Sequence, residues 1–541
     1  MEMHFATVWE AIADAIPSAT AVVHGAVRRS WAEYEDRAAR LAAAFGAAGI
    51  GVDSKVGLYL YNGNEYLEAQ FAGFKQRAVP VNVNYRYLDD ELWYLLDNAD
   101  AEALVFHTSL ADRVARVRER LPKLKLLVQV DDGGTPLDGA VGYETLLSAH
   151  APAPRITRDE ADTYMLYTGG TTGMPKGVMY AIGGMTGSFV TGGFPLLGLA
   201  PPATPEAIPA LVHQLAAAGT SPVSIPTCPL MHGTGMWLGA MISHLAGGSV
   251  ITMQHRSLDG HEVLATVQRE KVTSIVIVGD AMARPLIRAI DEAVARGTPY
   301  DASSLKLMIS SGVMWTAEVK AEIIERVPQI VLLDAIGSTE GSMGTQITMK
   351  GMAAETARFQ QMATTKVFAE DGRQVVPGSG EAGLVAAGGN VPLGYYKDPE
   401  KSARTFRVID GVPYSFPGDW ATVEADGTIR LLGRGSQCIN TGGEKVYPEE
   451  VEEAVKRTEG IEDCLVVGVP DERFGEAVTA VVAVAADAPA LDENAVIASV
   501  KQQLAGFKAP KRVVFVAIVP RAPNGKADYK TAKAMALGES V

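Results

Sequence analysis

The chain has 541 residues, 47% apolar and 21% charged, which is the make-up of an ordinary globular protein too long for one small core. Its net charge of −15 argues against a nucleic-acid-binding surface, although a local glycine and lysine site can still hold phosphates inside an acidic protein. Cys228, Cys438 and Cys464 make no CxxC pair and no disulfide framework, so a reducing cytoplasm is expected. The start, MEMHFATVWEAIADAIP, lacks the basic segment of a signal peptide, and no stretch of about 20 apolar residues marks a membrane span.

Along the chain, short β-rich runs alternate with amphipathic helical stretches. SKVGLYL precedes EYLEAQFAGFKQR, AEALVF precedes LADRVARVRERL, and TSIVIVG precedes ARPLIRAIDEAVARG. Alternation of this kind predicts α/β architecture with largely parallel sheets. Between the second and third of these pairs, residues 192–226 are rich in Gly, Pro and Ala. A short helix is predicted in PEAIPALVHQLAAAG, and the segment reads equally as a functional connection or as a surface insertion. Near DGTIRLLGRGSQ a boundary is expected. Beyond it EEVEEAVKRTEG, DCLVVGVPD, AVTAVVAVA, ENAVIASVKQQL and KRVVFVAIVP make a compact α+β unit of about 100 residues, with a hinge and a ligand cleft between the two parts.

The strongest local signal follows the predicted strand TYMLY. Tyr167, Thr168, Gly169, Gly170, Thr171, Thr172, Gly173, Met174, Pro175, Lys176 and Gly177 are consecutive. Backbone N–H groups and hydroxyls packed so densely can wrap phosphate oxygens, and Lys176 adds a cation. The spacing is not that of a Walker loop, and a plain Gly-rich turn is the competing reading.

This stretch resembles the phosphate loop of the adenylate-forming enzymes: acyl-CoA synthetases, peptide-synthetase adenylation domains and luciferases. Further motifs similar to that family follow in order. They are Pro229-Leu-Met-His232-Gly, Ile336-Gly-Ser-Thr339-Glu340, Gly418-Asp419, Gly433-Arg434, Gly442-Gly443-Glu444-Lys445, and Pro523-Asn-Gly525-Lys526. The resemblance implies a large N-terminal domain of layered α/β sheets, residues 1–433, holding the acid and ATP sites. It also implies a small mobile α+β C-terminal domain, residues 434–541, that carries the catalytic lysine and the CoA-path loop and pivots at Ser436.

The resemblance also assigns roles. Lys526, Thr339, Glu340 and His232 are expected to be catalytic, with Glu340 holding Mg²⁺ through carboxylate oxygen, as magnesium prefers. Thr168 to Gly173, Lys176, Gly312, Val313, Asp334, Ala335, Ile336 and Gly337 are expected around the nucleotide. Asp419, a pure acceptor when ionised, suits the ribose hydroxyls, and Arg434 the ribose or phosphate. Gly442, Gly443 and Glu444 border the path of CoA, where bare backbone lets a thin arm pass. His232, Met236, Trp237, Gly279 and Gly312 are expected to border the acyl pocket, and residues 192–226 to lie near its mouth. The substrates implied are a carboxylic acid, ATP and CoA, and the oligomeric state stays open, a homodimer included.

Four positions depart from the family pattern: Gly169 stands for a serine, Ile336 for an aromatic residue, Pro417 for a threonine and Ser436 for the usual Asp or Lys pivot. Together with Val83-Asn84-Tyr85-Arg86-Tyr87, the Gly279 to Pro285 run and Gly442-Gly443-Glu444-Lys445-Val446-Tyr447-Pro448, they resemble actinobacterial acyl-CoA synthetases that act on steroid side chains and related bulky acids. The expected activity is ATP-dependent adenylation of a polycyclic or branched acid, then thioesterification with CoA. The alternatives are an enzyme that mainly converts a preformed acyl-adenylate, a ligase loading a separate carrier protein, and a nucleotide-binding sensor without turnover.

Overall fold

The computed structural model describes residues 1–541 apart from 171–172, 442–443, 472–473, 486–487, 489–490, 523–524 and 540–541, and apart from the side chains at 436 and 445. Among the described residues no helix is long and apolar enough to cross a membrane.

The alternation read from the sequence builds two parallel systems. Lys55–Tyr59 pairs in parallel with Val79–Asn82 and with Ala101–His107, and the sheet continues to Leu126–Val130 and Val141–Gly142. The strands Lys55–Tyr59 and Val79–Asn82 are buried along their whole length, as expected for parallel strands covered on both faces. One covering helix, Trp31–Ala47, starts at a capping box in which Ser30 and Glu33 each satisfy the other's backbone N–H.

A larger sheet takes Thr20–His24, Ser249–Thr252, Val223–Pro226, Ser274–Ile277, Leu307–Ser311 and Val331–Ser338 in parallel. It then changes character. Gly341–Thr348 runs antiparallel to Val331–Ser338 with Ser338 opposite Gly341, so Thr339 and Glu340 are the two-residue tip of a hairpin. Antiparallel pairing continues through Arg358–Gln361, Ile429–Arg434 and Asp419–Val423. In this sheet the run of parallel pairing expected from the alternation therefore ends at Ser338. Beyond it the segments between strands are too short for the helical crossovers that parallel pairing requires.

Residues 192–226 are not a single insertion. The predicted helix is present as Ile208–Ala217, with Ile208 and Val212 packed in the core that also holds Phe5 and Trp9, while Val223–Pro226 is an internal strand of the large sheet.

A third, antiparallel sheet of Gly394–Tyr395, Gly173–Ala181 and Thr163–Gly170 carries the glycine-rich loop at its tip. The C-terminal unit has its own five-stranded sheet with apolar clusters on both faces. Val451, Val455, Val496 and Val500 come from helices Pro448–Lys456 and Glu493–Gln503 on one side, and Ala532 and Ala536 from helix Tyr529–Leu537 on the other.

Candidate active site

The ends of these elements converge on one cavity of about 470 Å³. Ser311 ends one parallel strand and Gly312 follows it, Val278 follows its neighbour, and Ala335 to Thr339 close the next, so the cavity lies at the carboxyl ends of the strands where open α/β sheets bind ligands.

The phosphate hairpin is fixed to the first sheet by Asn82. Its Oδ1 accepts from the backbone N–H of Tyr167 at 2.7 Å, and its Nδ2 donates to the Tyr167 carbonyl at 2.8 Å. Across the hairpin Thr168 stands opposite Lys176, and Thr168 reaches the cavity wall. Gly169, Gly170 and Gly173 lie in the hairpin strands, whereas Thr171 and Thr172 fall outside the described residues.

Two tyrosines of this same sheet hold the Thr339–Glu340 turn. Tyr180 Oη donates to the Thr339 carbonyl at 2.9 Å, and Tyr395 Oη donates to Glu340 Oε1 at 2.8 Å. A carboxylate oriented in this way suits magnesium, which keeps several waters and takes one or two carboxylates plus substrate phosphates. Among the described residues no group of three or more His, Cys, Asp or Glu could hold a metal ion.

Antiparallel pairing sets Asp419 opposite Arg434, with Nε 3.4 Å from Oδ1. Asp419 is buried and its Oδ2 has no hydrogen-bond partner. Burial raises its carboxyl above the usual range against the pull of Arg434. A buried acceptor left over in this way is expensive unless a ligand supplies donors, and two ribose hydroxyls would do so.

Lys526 comes from the C-terminal unit and lines the same cavity. Its Cε lies 3.7 Å from the point where a β-carbon would stand on Gly312. It keeps surface toward the cavity, yet the wall around it is dense. Burial, then Arg434, draws its ammonium below the ordinary lysine range while Glu340 and Asp419 oppose the shift. His232 faces the same space. Burial, with Lys526 next, lowers its imidazole to about 3, so it is neutral at pH 7, and its Nε2 is buried without a partner.

An apolar end of the cavity is walled by Met185, Phe189, Leu196, Trp237 and Leu238. Phe189–Gly193 and Thr234–Met241 are π-helical, a rare conformation frequently found at functional sites.

The structure brings Thr168, His232, Trp237, Gly312, Ala335, Ile336, Gly337, Thr339 and Lys526 together at one cavity, with Lys176, Glu340, Asp419 and Arg434 beside it. It places other candidates elsewhere. Met236 is buried in the main core on the far face of its π-helix. Gly279 has φ +55° and packs so tightly that a β-carbon would stand 2.4 Å from Val313 Cγ2, which also leaves Val313 behind the wall rather than on it. Asp334 is buried in an ion pair with Lys320 at 2.8 Å and does not reach the cavity. Glu444 is exposed on the C-terminal sheet, Gly442 and Gly443 lie outside the described residues, and Ser436 sits in a short 3₁₀ turn, residues Gly435–Gln437. Sequence reasoning passed over Asn82, Tyr180 and Tyr395, whose roles arise from pairing across strands far apart in the chain.

A second cavity of about 420 Å³ shares Pro229 with the first. It is lined by Arg86, Arg256 and Arg521, by His24, His107 and His255, and by Ala522 and Gly525 of the lysine loop.

Residues 9–396 match the AMP-binding enzyme family and residues 450–526 its C-terminal domain. The chain is 40% identical over 557 residues to the 3-oxocholest-4-en-26-oate–CoA ligase of Rhodococcus rhodochrous, covering 98% of this chain and 96% of that one. It is likewise 40% identical over 551 residues to the medium-chain acyl-CoA ligase Mig of Mycobacterium avium, covering 98% and 97%. Its fold matches the crystal structure of the anthranilate CoA ligase AuaEII in complex with anthranoyl-AMP, with a TM-score of 0.84, 21% identity and coverage of 99% and 98%. The chain belongs to the AMP-binding, adenylate-forming enzyme family. Within it, it is an AMP-forming acyl-CoA synthetase, of the class that uses ATP and CoA.

Proposed function

We propose that this synthetase activates a bulky, largely apolar carboxylic acid, and that residues 434–541 turn about a pivot near Ser436 between the two half-reactions. One observation carries the reading. A single cavity joins the Lys526 ammonium and the hydroxyl-bearing Thr339 and Thr168 to an apolar end walled by Phe189, Leu196, Trp237 and Leu238. The names of relatives, a 3-oxocholest-4-en-26-oate ligase and a medium-chain ligase, support an extended apolar acyl group.

In the first half-reaction a carboxylate oxygen bonds to the α-phosphorus of ATP, and the bond to the departing pyrophosphate breaks. Two anions must meet, so the site supplies cations. Lys526, preorganised at Gly312, opposes the charge that grows at the carboxylate–phosphate junction. Asp419 takes the ribose through its partnerless oxygen, and Thr339 donates to the α-phosphate. Glu340 would hold Mg²⁺, which would neutralise phosphate charge when bound.

In the second half-reaction the CoA sulfur bonds to the acyl carbon and AMP leaves. The second cavity, rich in arginine and bordered by the lysine loop, suits the polyphosphate end of CoA. His232, neutral and next to Lys526, borders the junction of acyl group and nucleotide without adding charge.

The test is pyrophosphate exchange and CoA-thioester formation with a 3-oxo-steroid side-chain acid set against straight medium-chain acids. Exchange and thioester with the bulky acid are expected. A preference of about tenfold or more for the straight chain, roughly 1.4 kcal/mol, would refute the bulky-acid reading.

A further inference from the structure

Tyr395 is buried, and besides holding Glu340 it carries two cations on its ring. Lys176 Nζ and Lys401 Nζ each lie 5.6 Å from the ring centroid. Lys176 belongs to the phosphate hairpin, opposite Thr168, and Lys401 to the helix Pro399–Thr405. Asp398 is the carboxylate beside them. Its Oδ1 caps the helix by accepting from the Lys401 N–H at 3.0 Å, and its Oδ2 is 3.9 Å from Lys176 Nζ. Asp398 is engaged by backbone and Glu340 by Tyr395 Oη, so the nearest carboxylate oxygen to either ammonium group is the one at 3.9 Å. Burial first, then Lys401, draws the Lys176 ammonium down to about 8, while Asp398 and Glu340 oppose the shift. Two partly buried like charges held against one ring are costly unless an anion joins them.

We propose that Lys401 acts with Lys176 as a two-cation receptor for the β- and γ-phosphates of ATP and for the pyrophosphate that leaves. This rests on the reading that the chain adenylates its acid with ATP. As the α-phosphorus bonds to the carboxylate oxygen, its bond to the bridging oxygen breaks and the electron pair goes to pyrophosphate. Negative charge therefore grows on the departing group, where a pair of ammonium groups stabilises it more than a single one. AMP lacks those phosphates and does not engage the pair.

Titration calorimetry with three probes, the β,γ-imido analogue of ATP, inorganic pyrophosphate and AMP, each with Mg²⁺, separates these ligands. Lys401→Met keeps the aliphatic stem and removes the charge, and Lys401→Arg restores the charge. Lys401→Met is expected to weaken the ATP analogue and pyrophosphate by about tenfold while AMP stays within about twofold, and Lys401→Arg to recover most of the loss, as charge-assisted contacts to phosphate predict. Equal loss for AMP and the ATP analogue in both variants, or no loss for either ligand, overturns the proposal. A wild-type protein that bound no ATP analogue and exchanged no pyrophosphate with any acid would overturn the adenylation reading instead.

Discussion

Lys526 stands over Gly312, with its Cε 3.7 Å from the point where a β-carbon would project, and Gly312 holds φ at +96°. The glycine both turns the chain after the strand Leu307–Ser311 and leaves room for the lysine of the other unit. Lys526→Ala is therefore expected to lower pyrophosphate exchange by about a hundred- to a thousandfold, as loss of one preorganised stabiliser does. Thioester formation from synthetic acyl-AMP should survive. Equal loss in both half-reactions would mean that the lysine serves the fold rather than the first transition state.

The acyl wall gives a second prediction. Gly192 lines the cavity, and a β-carbon built on it meets nothing within 4 Å. Gly192→Leu should fold normally and fill the apolar end. The kcat/KM for a polycyclic acid is expected to fall by about tenfold or more, while that for a short acid changes little, because overfilling a pocket costs roughly 1–3 kcal/mol. Parallel kinetics with both acids read the difference, and an equal drop for both would move the acyl end elsewhere in the cavity.

The contrast between Trp237 and Met236 shows what could be read in the sequence. Motif residues such as Lys176, Thr339, Asp419 and Lys526, which the structure gathers at or beside the cavity, stand out in the sequence because they sit in short, distinctive contexts. Wall residues do not. Trp237 faces the cavity and its neighbour Met236 the core, and which of two adjacent apolar residues turns inward depends on the π-helical phase of Thr234–Met241, which no local pattern announces. Gly279 suits either pocket space or backbone geometry on sequence alone, and its positive φ and close packing on Val313 fit the second. Asp334 looked like a nucleotide ligand within its motif, yet its partner Lys320 comes from the helix Ala317–Arg326 packed beside it. In the fold, the alternating pattern marked the parallel strands. The switch to antiparallel pairing at Thr339–Glu340 left only a weak cue, the lack of long helical segments between strands from Gly341 to Arg434.

Asp419 supports a prediction in which stability and function move apart. Burial raises its carboxyl, so the group opposes the folded state once ionised: the stability linked to it is present at low pH and is lost as pH rises through the raised value. Asp419→Asn removes that charge but keeps an acceptor toward Arg434. At neutral pH the free protein is expected to melt at a higher temperature than wild type. Its KM for ATP should rise by about tenfold or more, since a charged contact to a hydroxyl is worth roughly 1.5–3 kcal/mol. Thermal melts with and without nucleotide check both halves, and a variant less stable than wild type at neutral pH would show that the carboxylate holds the fold through Arg434.

The last prediction concerns Gly433 and Glu449, which meet where the C-terminal unit packs on the strand Ile429–Arg434. Gly433 has φ +118°, and a β-carbon there would stand 1.9 Å from Glu449 Oε2, an oxygen buried without a partner. Burial first, then the neighbouring Glu452, holds the Glu449 carboxyl up at about 8. Asp419 adds to the shift, and backbone N–H groups of Glu449 and Arg434 partly oppose it. The raised group favours this arrangement while it is protonated. As pH rises through about 8 it ionises, and the arrangement that buries it loses stability. The arrangement seen here is the one that places Lys526 in the cavity, so alkaline pH should depopulate the form that adenylates. Fluorophores on the two units are expected to report a pH-dependent change in transfer efficiency between pH 7 and pH 9, accompanied by a fall in pyrophosphate exchange. Glu449→Gln should abolish the change in transfer efficiency, because an amide does not ionise. Gly433→Ala acts on the same contact by shape: its methyl group has no room beside the carboxyl, and its backbone would be strained at this φ. It should lower adenylation at every pH while leaving transfer from acyl-AMP largely intact. Should Glu449→Gln keep the full pH response, the titration lies elsewhere, with Glu452 and Asp419, neighbouring carboxyls that burial also raises, the groups to replace next.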